Sequence, residues 1–177
     1  MNRKLKITEL NRISTEEFKK AEKLPLVVVL DNIRSLHNIG SVFRTSDAFR
    51  IECIYLCGIT ATPPHAEMHK TALGAEETVD WEYFEDTMEA VDKLKQQGYT
   101  VCAVEQAEGS TMLDNLLLDK NKKYAVIMGN EVKGVQQCVV DNCDMCIEIP
   151  QYGTKHSLNV SVTTGIIIWD FFKQLSD

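Results

Sequence analysis

Short apolar runs alternate with helix-like stretches along most of this 177-residue chain. The runs occupy residues 26–30, 51–57, 99–104, 124–128 and 145–149, and residues 78–84 form a less apolar strand candidate. An apolar run of about four to eight residues is typical of a strand buried on both faces, as strands are in parallel sheets. The alternation predicts an α/β protein whose mostly parallel sheet is flanked by helices.

Helix signals fill the intervals between these strands. Ser14 precedes two acidic residues and predicts a helix start, and apolar residues recur at helical spacing within residues 39–49. Asp86 predicts the start of another helix, which Gly98 should end. We expect residues 58–76 to form a long loop, a feature that is often functional in compact domains.

The last predicted helix, over residues 159–175, is apolar on nearly every side. Its apolar residues are Val160, Val162, Ile166, Ile167, Ile168, Trp169, Phe171 and Phe172. A helix that is apolar all round is buried on more than one face. We therefore expect one face to pack on the sheet and another on a second subunit, and a homodimer is the simplest such assembly.

Charge is distributed unevenly along the chain. Residues 1–50 hold ten Lys and Arg against six Asp and Glu, whereas residues 51–177 hold nine against twenty. We interpret residues 1–24 as a basic N-terminal extension and residues 25–177 as one domain. A local basic surface attracts phosphate even in a chain of net charge −7, although a solvated helix would explain Lys19, Lys20 and Lys23 equally well.

We expect neither a membrane segment nor a metal site. No stretch approaches the roughly 20 apolar residues that span a bilayer, and the first residues lack a secretory signal, so the expected compartment is the cytoplasm. Cys53, Cys57 and Cys102 lie in strand-like segments and should be buried thiols. Cys143 and Cys146 form a Cys-x-x-Cys pair, but no second pair accompanies it as a zinc site would require.

Familiar nucleotide and hydrolase motifs are absent from the sequence. It contains no Gly-x-Gly-x-x-Gly after the first strand, no Gly-x-x-x-x-Gly-Lys-Ser/Thr loop and no Gly-x-Ser-x-Gly elbow. The sequence therefore argues against an ordinary dinucleotide site, a triphosphate site and an α/β-hydrolase.

Two segments near the C-terminus each combine an apolar strand with a glycine-bearing polar loop. They cover residues 124–134 and 147–162. In an α/β fold such loops lie at the carboxyl edge of the sheet, where ligands bind. We therefore expect a ligand site at this edge.

Polar residues in these loops, and after the first strand, are the candidate site residues. Arg44 suits phosphate through its planar fork of donors and Asn38 suits a helix cap, although a surface ion pair and a simple cap would explain them separately. Glu131, between two glycines, is expected to hold an arginine or orient an amide, unless the loop is a plain exposed turn. Ser157 is a candidate cap of the last helix, and Asn159 opens that helix.

Three blocks of sequence together resemble the SpoU-type, or TrmH, branch of the SPOUT methyltransferase superfamily. They are NIRSLHNIGSVFRTSDAF at 32–49, MGNEVKG at 128–134 and IPQYGTKHSLNVS at 149–161. The order and spacing of the blocks make the resemblance specific, and it covers residues 26–172.

The resemblance implies both a fold and an activity. Members transfer a methyl group from S-adenosylmethionine to a ribose 2′-hydroxyl of tRNA or rRNA, form a C-terminal trefoil knot and act as homodimers. The family's catalytic positions fall on Asn38, Arg44, Glu131, Ser157 and Asn159. Its cofactor-lining positions fall at or near Val104, Gly129, Ile149, Ser157 and Leu158.

Arg44 has the central place in the expected mechanism. A guanidinium gives up its proton with great difficulty, so we expect Arg44 to bind a neighbouring phosphate and stabilise the developing alkoxide, and we leave its protonation state open. Arg34, Arg50 and the basic extension are further expected phosphate contacts. Two other functions fit the same sequence, namely a non-catalytic RNA-binding or ribosome-assembly factor and a methyltransferase that acts on a base.

Overall fold

A computed structural model describes residues 1–176 of the chain. Its strands are β1 (Leu24–Asp31), β2 (Ile51–Cys57), β3 (Trp81–Phe84), β4 (Tyr99–Val104), β5 (Thr111–Met112), β6 (Lys123–Met128) and β7 (Met145–Glu148). All pairings among them are parallel, and they form one sheet in the order β3-β2-β1-β6-β4-β7-β5. The carboxyl ends of β1, β6, β4 and β7 are therefore neighbours along one edge.

Helices cover both faces of this sheet. They are α1 (Thr15–Lys20), α2 (Leu36–Ala48), α3 (Ala66–Ala72), α4 (Ala75–Thr78), α5 (Thr87–Gln96), α6 (Gln137–Asp141) and α7 (Val160–Leu175). Residues of α2, α3, α4 and α7 pack in the core on one face, and residues of α5 and α6 pack in the core on the other. The predicted α/β architecture with a parallel sheet between helices is confirmed.

β1 shows why its sequence is continuously apolar. Leu26, Val28 and Leu30 point into the core beneath α2 and α7, whereas Val27 and Val29 point into the core beneath α5. All five side chains are buried, and each contributes roughly 1.5–3 kcal/mol through the loss of apolar surface to water. A strand with one solvated face would have alternated with polar residues.

Most predicted elements are confirmed, and one is wrong. α1 begins after Ser14, whose side chain accepts a hydrogen bond from the Glu17 amide. Residues 58–76 are not a continuous loop, because α3 and the start of α4 lie within them. α3 has only seven residues and its cap is His65, whose ring accepts from the Glu67 amide, so neither the periodicity nor the usual cap residues mark it.

α7 buries one side and leaves a second apolar side uncovered. Ile167 and Phe171 are fully buried, whereas Val162, Ile166 and Trp169 are 51%, 37% and 52% exposed. The spacing of the three exposed residues places them on one stripe of the helix. Over residues 1–176, no helix has both the length and the apolar character needed to cross a bilayer.

Candidate active site

A cleft of about 1120 Å³ lies at the carboxyl ends of β4, β6 and β7. Loops that follow these three strands form its walls, at the edge where α/β proteins bind ligands. The five positions predicted to line a cofactor pocket all line it, namely Val104, Gly129, Ile149, Ser157 and Leu158. Glu131 and Asn159 line it as well, whereas Asn38 and Arg44 lie outside the set of lining residues.

Glu131 fastens the loop after β6 to the start of α2. Its two carboxylate oxygens accept hydrogen bonds from the backbone amides of Arg34 and Ser35, each at 3.0 Å. These amides belong to the N-terminal end of α2, where the helix dipole favours negative charge. Of the two roles expected for Glu131, the structure shows the orientation of amides, because the contact with Arg34 is through its backbone.

The surroundings of Glu131 determine its ionisation. Burial raises the pKa of the Glu131 carboxyl. Hydrogen bonds from the Arg34 and Ser35 amides and from the Asn38 side chain lower this pKa, and their combined effect is larger than that of burial. The net pKa lies below the ordinary glutamate value. Glu131 is therefore a carboxylate at neutral pH, which is the form that accepts all of these hydrogen bonds.

Asn38 joins the three sequence blocks. Its Nδ2 donates to Glu131 Oε1 at 3.3 Å, and its Oδ1 accepts from Asn159 Nδ2 at 3.2 Å. The expectation that Asn38 caps α2 is wrong, because the helix begins earlier and Ser35 is its N-cap. The Ser35 hydroxyl accepts from the Asn38 amide at 3.3 Å, so the Asn38 side chain remains available to bridge Glu131 and Asn159.

Asn159, and not Ser157, is the N-cap of α7. Its Oδ1 accepts from the Ser161 amide at 2.9 Å while its Nδ2 reaches Asn38. Ser157 lies too far before Val160, the first helical residue, to act as the cap. It is exposed and lines the cleft, and within residues 1–176 its hydroxyl has no hydrogen-bond partner.

Two glycines allow the loop after β6 to close tightly. Asn130 and Gly134 exchange backbone hydrogen bonds of 3.0 and 2.9 Å. A Cβ on Gly129 would overlap the backbone of Gly134, and a Cβ on Gly134 would overlap the Glu105 carboxylate. Gly134 also has a φ of +68°, a conformation that favours glycine.

Arg44 lies on the outer face of α2, outside the cleft. Helical geometry groups it with His37 and Ala48, which are exposed, whereas Asn38 turns toward α7. Arg44 is itself exposed, and its side chain forms no hydrogen bond or ion pair with another residue of the described chain. A single chain thus brings together the other four predicted catalytic residues and leaves Arg44 apart from them.

Asn130 and Glu105 are site residues that the sequence analysis missed. Asn130 Oδ1 accepts from the Val132 amide at 2.9 Å, and its Nδ2 donates to the Asn32 carbonyl at 2.6 Å. Glu105 Oε2 accepts from the Val135 amide at 2.9 Å. The Asx-turn preference of asparagine was a usable signal for Asn130. Glu105 has no local signal, because its partner is 30 residues away.

Five of the six cysteines are buried or partly buried thiols, and Cys138 is exposed. Cys57 and Cys102 are buried as expected, but Cys53 is only partly so. Burial raises the pKa of Cys57 to about 12, and burial with the neighbouring Cys146 raises that of Cys143 to about 12. Among residues 1–176, no group of three or more His, Cys, Asp and Glu side chains is arranged to hold a metal ion.

These features define an α/β protein with a ligand cleft at the carboxyl edge of a parallel sheet. The sequence matches the model of the SpoU rRNA Methylase family over residues 25–169. Because the match covers most of the chain, the protein belongs to this family.

Relatives and solved structures agree with this assignment. The 23S rRNA (guanosine-2'-O-)-methyltransferase RlmB of Nitrosomonas europaea is 30% identical over 172 residues, which are 96% of this chain. The A. aeolicus TrmH/SpoU tRNA modifying enzyme is 29% identical with a TM-score of 0.77, over 90% of this chain and 79% of that one. The AdoMet-bound rRNA methyltransferase from Sinorhizobium meliloti is 26% identical with a TM-score of 0.80, over 90% of this chain and 61% of that one. The chain spans 63% and 65% of the length of two curated relatives that it matches.

Proposed function

We propose that this protein is an S-adenosylmethionine-dependent RNA methyltransferase that methylates a ribose 2′-hydroxyl of tRNA or rRNA. The observation that carries the proposal is the Glu131–Asn38–Asn159 hydrogen-bond chain, which joins three distant sequence blocks at one cleft. Membership of the SpoU rRNA Methylase family supports the reaction class. The names of the similar proteins support an RNA substrate and include both rRNA and tRNA enzymes.

The cleft suits S-adenosylmethionine in size and chemistry. Its volume of about 1120 Å³ lies just above the roughly 300–1,000 Å³ of typical ligand pockets, which leaves room for a ribose beside the cofactor. Apolar Val104, Met128 and Ile149 suit an adenine ring, and acidic Glu105 and Glu148 suit a cationic sulfonium. When bound, the cofactor supplies an electrophilic methyl group on that sulfonium.

The residues around the cleft orient the reactants. Ser157 lines the cleft and its hydroxyl has no hydrogen-bond partner among residues 1–176, so we assign it to the ribose or the cofactor. Asn159 lines the cleft from the start of α7 and has the same assignment. Glu131 and Asn38 keep the surrounding loops in place, which is how an enzyme lowers the entropic cost of aligning two reactants.

Arg44 is proposed to complete the site across a homodimer interface. The uncovered stripe of Val162, Ile166 and Trp169 on α7 is an apolar surface that a second copy of the chain would bury. Trp169 lies against Phe49 at the end of α2, with ring centroids 5.8 Å apart, so α2 borders this surface. Arg44 on α2 would then reach the cleft of the other protomer, bind a phosphate there and stabilise the developing alkoxide.

Exposed basic residues provide a path for the RNA backbone. Arg34, Arg44 and Arg50 are exposed, and so is every residue of 1–17. We assign this basic part of the chain to phosphate contacts and the acidic remainder to the surface that faces away. A ribose 2′-hydroxyl exists only in RNA, so its methylation would restrict the enzyme to RNA.

A C-terminal trefoil knot is part of the same proposal. β7 lies beyond β4 and β6 from β1, yet α7 contacts β1 and α2. Residues 149–159 therefore cross back over the ends of β4 and β6, and this return supports a knotted path. We also propose residues 1–24, which precede the family match, as an extension to the domain at 25–177, and the cytoplasm as the compartment.

Nucleoside analysis tests the proposed reaction. The purified protein would be incubated with labelled S-adenosylmethionine and total tRNA or rRNA, and the RNA would be digested to nucleosides. We expect the label in a 2′-O-methylated nucleoside. A base-methylated nucleoside would instead identify a base methyltransferase, and RNA binding without transfer would identify a non-catalytic factor.

A further inference from the structure

Asp31, the last residue of β1, is a fully buried carboxylate surrounded by donors. Its Oδ1 accepts from Thr87 Oγ1 at 2.7 Å, from Asn32 Nδ2 at 2.8 Å and from Gln136 Nε2 at 2.8 Å. Its Oδ2 accepts from the Gln136 backbone amide at 3.0 Å. A buried carboxylate is costly unless it is hydrogen-bonded in this way, and Gln136 alone supplies two of the four bonds.

Gln136 ends the segment that lines the cleft after β6. Residues 128–135 all line the cleft, and Gln136 follows them as the N-cap of α6. Both Asp31 and Gln136 lie outside the set of cleft-lining residues. Asp31 therefore contacts the segment from behind, at a point that a ligand in the cleft does not touch.

The end of β1 holds this segment at two points. Near its start, the Asn130 side chain donates to the Asn32 carbonyl at 2.6 Å. At its end, Gln136 donates twice to Asp31. The intervening residues contain Gly134 in a left-handed backbone conformation. Because glycine loses more conformational freedom on folding than any other residue, contacts at both ends of the segment help to keep it ordered.

We infer that Asp31 and Gln136 are a positioning pair that holds residues 129–136, the cofactor loop, in the shape that binds the cofactor. The inference rests on the proposed function and adds two residues to it. A loop that is already ordered pays less conformational entropy when a ligand binds, so loosening it weakens affinity without removing any contact to the ligand. The methyl-transfer step itself should change little once the cofactor is bound.

Gln136→Met tests the inference, and Thr87→Val is the matched control. Each variant removes one side-chain hydrogen bond to the same oxygen of Asp31, but only Gln136 belongs to the cofactor loop. We expect Gln136→Met to raise the dissociation constant of S-adenosylmethionine about fivefold or more, because a loosened cofactor loop must be ordered again when the cofactor binds. Thr87→Val should lower the melting temperature and leave this constant within about twofold of the wild type. Calorimetric titration of the full-length proteins measures both.

Hydrogen exchange separates a failure of this inference from a failure of the proposed function. Amides of residues 129–136 should exchange faster in Gln136→Met than in the wild type, and at an unchanged rate in Thr87→Val. Unchanged exchange in Gln136→Met, or an equal loss of cofactor affinity in both variants, would overturn the positioning role. Absence of cofactor binding by the wild type would overturn the proposed function, and the exchange rates would still decide the inference.

Discussion

Three carboxylates connect the cofactor loop to distant parts of the chain. Glu131 in the loop accepts hydrogen bonds from backbone amides at the start of α2. Glu105 accepts a hydrogen bond from the Val135 amide, and Asp31 accepts one from the Gln136 amide. A carboxylate is an acceptor with room for several donors, so one side chain can satisfy backbone groups from two segments. Such hydrogen bonds also satisfy backbone amides of a glycine-bearing loop, where no neighbouring strand is available to accept from them.

Glu131→Gln should loosen the joint between this loop and α2. The side-chain amide of glutamine has only one acceptor oxygen. Its NH₂ group would face one of the two backbone N–H groups that now donate to Glu131, and two donors cannot form a hydrogen bond. We expect a loss of about 0.5–1 kcal/mol in the free energy of unfolding at pH 7. This value is at the lower end of the usual contribution of a hydrogen bond, because solvent screens this partly exposed group. Urea unfolding of the two proteins measures the difference.

The same pair of proteins should show a defined pH dependence. The pKa of Glu131 is lowered in the folded state, so its contribution is complete above the ordinary glutamate pKa of about 4.3 and is lost as the pH falls through the folded value. The stability difference should therefore be constant between about pH 5.5 and 8 and shrink below about pH 4. A difference that persists undiminished at pH 3 would contradict the ionised role.

Arg44→Ala should greatly slow methyl transfer and leave cofactor affinity intact. Loss of a group that stabilises developing negative charge typically costs roughly 10²–10³-fold in kcat. Cofactor affinity should not change, because the proposed contact of Arg44 is with a phosphate of the RNA. Arg44→Lys should not restore the rate, because an ammonium cannot reproduce the planar fork of the guanidinium. Single-turnover kinetics with saturating cofactor measure the rate, and wild-type turnover in Arg44→Ala would remove Arg44 from the mechanism.

At the level of elements, local signals predicted the sheet and the caps of α1 and α5, but not the caps of α2 and α7. The strands followed from apolar runs that are buried on both faces, as β1 is. Ser35 and Asn159 are the caps, although Asn38 and Ser157 fit the cap preferences equally well. Only the tertiary contacts between α2, α7 and the cofactor loop decide which polar side chain caps and which one bridges.

Ile166→Asp should dissociate the proposed homodimer. The substitution places a charge in the middle of the exposed apolar stripe of α7, where burial against a second chain would leave it unpaired. Leu117→Asp is the control, because Leu117 is 91% exposed and lies outside α7. We expect light scattering to report a monomer for Ile166→Asp and a dimer for the wild type and the control.

The activity of the same variants tests the position of Arg44. If Arg44 acts in the cleft of the other protomer, the Ile166→Asp monomer should bind cofactor and fail to methylate RNA. A fully active monomer would refute a shared site. Helical spacing alone places Asn38 and Arg44 about 120° apart around α2, but the sequence could not predict which of the two side chains turns toward α7.

For the molecule as a whole, charge and hydrophobic pattern carried different information. The apolar pattern predicted a single sheet between helices, and the structure has it. The sequence showed the uneven charge distribution, which is basic up to residue 50 and acidic beyond it. This distribution does not determine which surface of the folded protein faces a partner. The hydrogen bonds that join residues 32–49 to residues 128–134 and 149–161 beside the cleft depended on the strand order, which no local pattern encodes.

The salt dependence of RNA affinity tests whether the basic part of the chain binds RNA. Each phosphate contact releases counterions, so the logarithm of RNA affinity should fall with the logarithm of salt concentration by about 0.7–0.9 per contact. Cofactor affinity should change little with salt, because the cleft is not a basic surface.

Arg12→Ala removes one charge from the basic extension, whereas Lys95→Ala removes one from α5 in the acidic part. Filter binding over a salt series should give a slope shallower by about 0.7–0.9 for Arg12→Ala and an unchanged slope for Lys95→Ala, and equal slopes for the two variants would refute the assignment of the extension to RNA.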